Sequence, residues 1–186
     1  YNSMTSRLLV DKIEGKTTSG TIQMPSGTVI QARYNSSTTR VASTSSSADV
    51  TLMTCDSFTP KFANSKIIIT CSLFFGYYNP NGGLQIVRAI SGGATTYGIG
   101  DTGETYSGGN GFFLADEFVL HTTSTNDTYA MTHFGGTVED TDYNTTSAIT
   151  YSLRATSCDE VNFNRPKTNS SNGHGRSSIT LMEVAQ

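Results

Sequence analysis

The sequence predicts an all-β protein: an antiparallel, jelly-roll-like β-sandwich over residues 28–186, preceded by a short β stem or arm at residues 1–27. Three observations predict it. No stretch repeats apolar residues at i, i+3 and i+4 over three turns, as an amphipathic helix would. Short runs rich in Val, Ile, Thr, Tyr and Phe recur between Gly, Pro, Asn and Ser clusters, a cadence of sandwiches rather than of α/β units, which need crossover helices. Roughly a quarter of the 186 residues are Ser or Thr and only 15% are charged, which suits strands and turns.

The opening stretch VDKIEGKTTSGTIQMPSGTVIQ (residues 10–31) groups its apolar residues in pairs: Val10 with Ile13, Ile22 with Met24, Val29 with Ile30. Gly15, Gly20 and a Pro25-Ser26-Gly27 turn interrupt them, so each piece is too short to bury an apolar side alone. Strand-like runs follow at 28–35, 48–58, 65–78, 83–90, 111–120, 128–136, 147–157 and 177–185. Between or beside them stand the turn signals Asn79-Pro80-Asn81-Gly82-Gly83, Ser91-Gly92-Gly93, Ser107-Gly108-Gly109-Asn110-Gly111, Gly135-Gly136 and Ser171-Asn172-Gly173. In SAITYSLRA, Ile149, Tyr151 and Leu153 share one face and Thr150, Ser152 and Arg154 the other, as a half-buried strand requires. In SSITLMEVA both faces carry apolar groups, which predicts a last strand covered on both sides.

The net charge of -3 is spread without blocks, so no nucleic-acid or anionic-membrane partner is expected. The longest apolar stretch, residues 67–78, is too short and interrupted to span a bilayer, and no charged-then-apolar leader opens the chain. A soluble product made in a cytosol is expected. Met4 begins MTSRLLVDKIEG like an open reading frame, which reads as a nearly whole small protein with Tyr1 to Ser3 as a remnant ahead of it. Cys55, Cys71 and Cys158 are odd in number and lack CxxC spacing, so buried, inert thiols are expected.

No GxSxG, HExxH or phosphate-loop context is present. His121 and His133 lie near the ends of adjacent predicted strands, where a hairpin would pair them for zinc or leave them on a strand surface; His174 stands in a Gly-rich loop. The run EDTDYN offers Glu139, Asp140, Asp142 and Asn144 at alternating spacing, part of a calcium loop without its Gly and distal Glu, or a solvated turn. Asp101 with Glu104, or Asp140 with Asp142, would be the carboxylate pair of a glycan-cleaving enzyme, though Trp is absent. No catalytic residue, metal or cofactor is therefore expected. Two long loops, 94–111 and 157–177, combine Tyr, Asn, Gly and Ser, a composition of either solvated loops or adaptable contact surfaces. Their contact candidates by residue type are Tyr97, Tyr106, Asn110, Asn164, Arg165 and His174.

The segments LLVDKIEGKTTSGTIQMPSGTVIQ (8–31), DSFTPKFANSKIIITCSLFFG (56–76), NFNRP (162–166) and RSSITLMEVAQ (176–186) together resemble small tail-fibre and head-fibre proteins of bacteriophages, especially those infecting aquatic bacteria. The resemblance covers the first 35 residues, residues 56–75 and the last 25, and leaves out about 79–147. It implies a noncatalytic virion protein, assembled in the host cytoplasm and typically a homotrimer. Its N-terminal segment would dock onto other tail or capsid proteins, and its β-sandwich knob would present loops to a host glycan or outer-membrane component. Trimerisation would also give the short opening strands something to pack against, each facing its symmetry mates. A capsid fibre or decoration protein is the alternative, followed by a carbohydrate-active depolymerase and a cell-produced lectin.

Overall fold

The computed structural model describes residues 25–43, 48–77, 83–100, 132–158, 161–164 and 175–186. Their regular structure is all strand: β1 Val29–Ser37, β2 Val41–Ser43, β3 Ala48–Thr54, β4 Lys66–Tyr77, β5 Gly83–Ile90, β6 Thr95–Thr96, β7 Thr132–Asp140, β8 Ile149–Cys158, β9 Val161–Phe163 and β10 Ser177–Val184. The larger sheet runs β1-β10-β4-β9-β2 with β7 on the free side of β4, and the smaller runs β3-β8-β5-β6. All pairs are antiparallel.

The six strands of the larger sheet occupy only four rows. β10 pairs β4 from Lys66 to Ser72 and β9 continues along the same side from Phe75 to Tyr77. β1 and β2 likewise lie end to end, β1 against β10 and β2 against β9. Among the described residues the larger sheet is therefore β1/β2, β9/β10, β4, β7, facing β3, β8, β5, β6. The chain alternates between sheets at nearly every step, and the eight rows interleave as the two Greek keys of a jelly roll.

Most predicted strands stand where the alternation placed them, and β5 spans the predicted 83–90. The Pro25-Ser26-Gly27 turn also forms: Thr28 N–H donates to Pro25 O at 3.0 Å, with Gly27 at φ 85°. Residues 1–24, most of the expected stem, and the predicted strand 111–120 lie outside the described residues. Three expectations change. Gly135 and Gly136 are not a turn but lie inside β7, opposite Ser72 and Cys71. Part of the predicted loop 157–177 is the short strand β9. β10 buries Ile179, Leu181 and Glu183, while on its other face Val184 is buried and Ser178, Thr180 and Met182 are half-buried, so the double covering expected of the last strand is met only at its end.

The core between the sheets is built from Ile67, Ile69 and Leu73 of β4, Leu84 and Ile86 of β5, Ile149, Tyr151 and Leu153 of β8, Ile179 and Leu181 of β10, and Phe58 and Phe163. Cys55 and Cys71 are buried in it as free thiols, and burial pushes both up to about 12, as expected of inert thiols. Two buried polar clusters cross it. Arg88 of β5 donates to Asp140 of β7 at 2.5 Å, and Tyr151 donates to the other carboxylate oxygen at 2.7 Å, tying the two sheets together. Glu183 accepts from the backbone N–H groups of Lys61 and Phe62 and from Ser65 Oγ at 2.9 Å, and from Gln31 Nε2 at 2.6 Å, which fixes the loop after β3 to β10.

Candidate functional site on the outer face of the smaller sheet

Of the six contact candidates, Tyr106, Asn110, Arg165 and His174 lie outside the described residues, and the structure separates the other two. Asn164 is corrected: it is 0% exposed and works inside the fold. It follows β9 at φ 63°, in the left-handed region that Asn tolerates better than most residues. Its Nδ2 donates to Ser37 O and Thr39 O, both at 3.0 Å, while its Oδ1 accepts from Ser177 N at 3.1 Å and Ser177 Oγ at 2.6 Å. Its N–H donates to Phe74 O, and its carbonyl accepts from Gly175 N at 2.8 Å. A Cβ on Gly175 would run into the Phe74 side chain, so the neck closed by residues 164 and 175 requires glycine there. Asn164 thus joins the two broken rows β1/β2 and β9/β10 at the point where the chain leaves the sheet.

Tyr97 is 45% exposed, and its ring lies under the Arg154 guanidinium, 5.1 Å from Cζ to ring centroid. The register explains the meeting. Within β8, Tyr151 and Leu153 face the core, so Arg154 faces outward, opposite Thr51 of β3 and Gln85 of β5. β6 lies beyond β5, and Tyr97 follows it directly. The Arg154–Tyr97 contact therefore bridges β5, across its outward residues Gln85 and Val87. Asp49 of β3 closes the other flank as an ion pair with Arg154, its side chain 47% exposed. Arginine over an aromatic face is worth about 0.5–1 kcal/mol at an exposed site.

On the same face of β5 Gln85 is 0% exposed, and neither Nε2 nor Oε1 has a hydrogen-bond partner. Val87 is buried on the same face but apart from the main core. The site thus offers one open aromatic ring, a cation beside a carboxylate, and an unsatisfied amide next to an apolar side chain. Of these residues sequence reasoning singled out only Tyr97. The outward direction of Arg154 was legible from its strand, whereas nothing in GLQIVRAI signalled that Gln85 would be buried.

The residues weighed as metal ligands or a carboxylate pair are engaged elsewhere or lie apart. Glu139 and Asp140 are successive residues of β7 and so point to opposite faces: Glu139 outward to Lys66 Nζ at 3.0 Å, Asp140 inward to Arg88. Asp142 is exposed, and its N–H donates to Asp140 Oδ1 at 3.3 Å. Glu139 and Asp140 therefore diverge, and both oxygens of Asp140 are engaged by Arg88 and Tyr151. His133 lies exposed on the larger sheet with Nε2 2.8 Å from Ser72 Oγ and its ring 4.8 Å from that of Phe74. Its proposed partner His121, and Asp101 with Glu104, are outside the described residues. Among the described residues no three His, Cys, Asp or Glu converge as a metal site.

No family model matches the chain, and no curated protein matches it. Solved structures similar over most of its length include two of infectious bursal disease virus. The structure of the Gx strain of infectious bursal disease virus matches at 11% identity and a TM-score of 0.26, over 98% of this chain and 43% of that one. The VP2 subviral particle of infectious bursal disease virus matches at 11% identity and a TM-score of 0.26, over 85% of this chain and 39% of that one. The chain spans less than half the length of either, and the superpositions are too loose to bear on function.

Proposed function

We propose that this chain is a noncatalytic virion protein of the bacteriophage tail-fibre, receptor-binding type, held to the particle through residues 1–27 as a homotrimer and turning the outer face of its smaller sheet to the host surface. The observation that carries this is where the fibre-like segments fall in the fold. They supply β1, β4 and β9/β10, three adjacent rows of the larger sheet, whereas the unmatched middle supplies β5, β6 and β7. The matched segments thus lie side by side in one sheet, and Gln85 and Tyr97 belong to the unmatched middle. The jelly roll is an architecture of capsid and lectin domains, which supports the same assignment at the level of fold. The residue types of the patch are those of recognition: an aromatic ring with low entropy cost and charged hydrogen-bonding groups beside it.

The test is binding of fluorescently labelled protein to host cells. Tyr97→Ala and Arg154→Ala should each weaken it roughly 5- to 30-fold, the equivalent of about 1–2 kcal/mol; unchanged binding by both overturns the use of this face. Light scattering tests the assembly: a trimer that dissociates without residues 1–27 supports it, and a monomer in both forms overturns it. A capsid fibre or decoration protein would use the same parts at a different position on the particle.

A further inference from the structure

We infer that the outer face of the larger sheet, along β1, is the seat of the chain's own residues 17–24, which fold back over it from the Pro25 turn. The inference goes beyond the recognition role and leaves the attachment proposed above to residues 1–16. The face is apolar where β1 begins. Val29 pairs with Val184, Ala32 with Met182 and Met182 with Ile68, and directly paired residues share a face, here the one turned away from Ile179 and Leu181 in the core. Tyr34 follows on the same face, opposite Thr180. Val29 is 52% exposed and Tyr34 61%, two of the three large apolar side chains left exposed among the described residues. Ala32 is exposed beside them, and Ile68 and Met182 are half-buried. A contiguous apolar strip marks a contact surface, as scattered single residues do not.

The turn ahead of β1 points to what covers the strip. Thr28 N–H donates to Pro25 O, Gly27 stands at φ 85° and Ser26 is not among the positive-φ residues, which defines a type II turn. In such a turn the central N–H, here that of Gly27, points roughly perpendicular to the plane in which the chain reverses. That N–H donates sideways, within the sheet, to Ala185 O at 2.9 Å. The plane of reversal therefore stands upright on the sheet, and the residues ahead of Pro25 return over a face rather than beside the edge of β1. At this end the inner face is filled: Gln31 donates to Thr59 O, and Glu183 holds the backbone of Lys61 and Phe62. Among the described residues the outer face alone is open. The sequence ahead of the turn fits it. In TTSGTIQM, Thr17, Ser19, Thr21 and Gln23 alternate with Thr18, Gly20, Ile22 and Met24, so an extended chain turns Ile22 and Met24 to the sheet and its polar side to water. Counted back from the turn, Met24 comes level with Val29, Ile22 with Ala32, and Gly20 with Tyr34, where the missing side chain leaves room for the ring.

The test is disulfide trapping in the full chain, in a Cys158→Ser background, under mild oxidation by copper phenanthroline. Ile22→Cys with Ala32→Cys should close an intrachain disulfide, seen as a faster monomer band on a non-reducing denaturing gel. Ile22→Cys with Thr51→Cys, an exposed position on the outer face of the smaller sheet, should not. An interchain band in place of the intrachain one would give the seat to the segment of a second copy. Unreacted thiols, or equal closure with Thr51→Cys, would leave the strip to a different partner, and each of these three results overturns the inference. In the otherwise unaltered chain, Ile22→Asp should raise hydroxyl-radical labelling of Met182 and Tyr34 about threefold, since labelling follows the area left in water. Unchanged labelling of both would overturn it as well.

Discussion

Asn164→Ala should be among the most damaging single substitutions in this chain, although its position in a polar, Gly-rich stretch reads as tolerant. The side chain makes four hydrogen bonds, two donated to Ser37 O and Thr39 O and two accepted from Ser177. At about 0.5–1.5 kcal/mol net each, their loss amounts to roughly 4 kcal/mol. The residue also stands at φ 63°, where alanine costs about 1 kcal/mol more than asparagine. The sum, about 5 kcal/mol, is a large share of the 5–15 kcal/mol by which a domain is ordinarily stable, and corresponds to a fall in Tm of roughly 10–20 °C. Thermal unfolding followed by circular dichroism measures it. Asn164→Gly should recover only about 1 kcal/mol, because it relieves the backbone and restores none of the four bonds. If Asn164→Ala unfolds within about 1 kcal/mol of the parent, the joining of the two broken rows at this residue is wrong.

Glu183→Gln should lower stability by about 2–4 kcal/mol, since an amide NH2 would face donors that now share a carboxylate. It should also speed hydrogen exchange at Lys61 and Phe62; unchanged exchange would mean that Glu183 does not hold that loop. Cys55 and Cys71, both pushed up to about 12 by burial, should resist thiol reagents at pH 8 until the protein unfolds; prompt labelling in the folded state would contradict their burial. Tyr151 is raised well above the ordinary tyrosine value, first by burial and then by the Asp140 carboxylate. Its unfolded form ionises near pH 10 while its folded form stays neutral, so the stability it contributes is complete below about pH 10 and is lost as pH rises further. Tyr151→Phe should flatten that alkaline loss in a urea-denaturation series between pH 9 and pH 11, and an unchanged slope would assign the loss elsewhere.

A strand that buries one full face was legible in the sequence because alternation records burial directly: β8 stands where Ile149, Tyr151 and Leu153 placed it. β9 was not, because three residues within an Asn-rich stretch carry no periodicity, and its pairing with β2 and β4 is fixed by distant segments. Gly135 and Gly136 carry the local signature of a turn, yet they lie in a strand at the outer side of the larger sheet. There an added Cβ at Gly135 would meet the Cys71 carbonyl oxygen at an ordinary 3.6 Å. Asn164 was read as a surface contact because its residue type favours loops, whereas its burial depends on two rows breaking at the same height. The patch was half legible: Tyr97 by type, Arg154 by direction. That they meet across β5 depends on β5 lying between β8 and β6, a fact of topology that no local pattern carries.

The central claim, that this chain is a virion component presenting a recognition face, is tested most directly on particles. Gold-labelled antibody raised against the purified chain would be applied to particles pelleted from a culture that produces it, in parallel with an adsorption assay. The account predicts label at discrete positions on the tail and adsorption blocked by the antibody. Protein that stays in the supernatant, with unlabelled particles that adsorb normally, would contradict it.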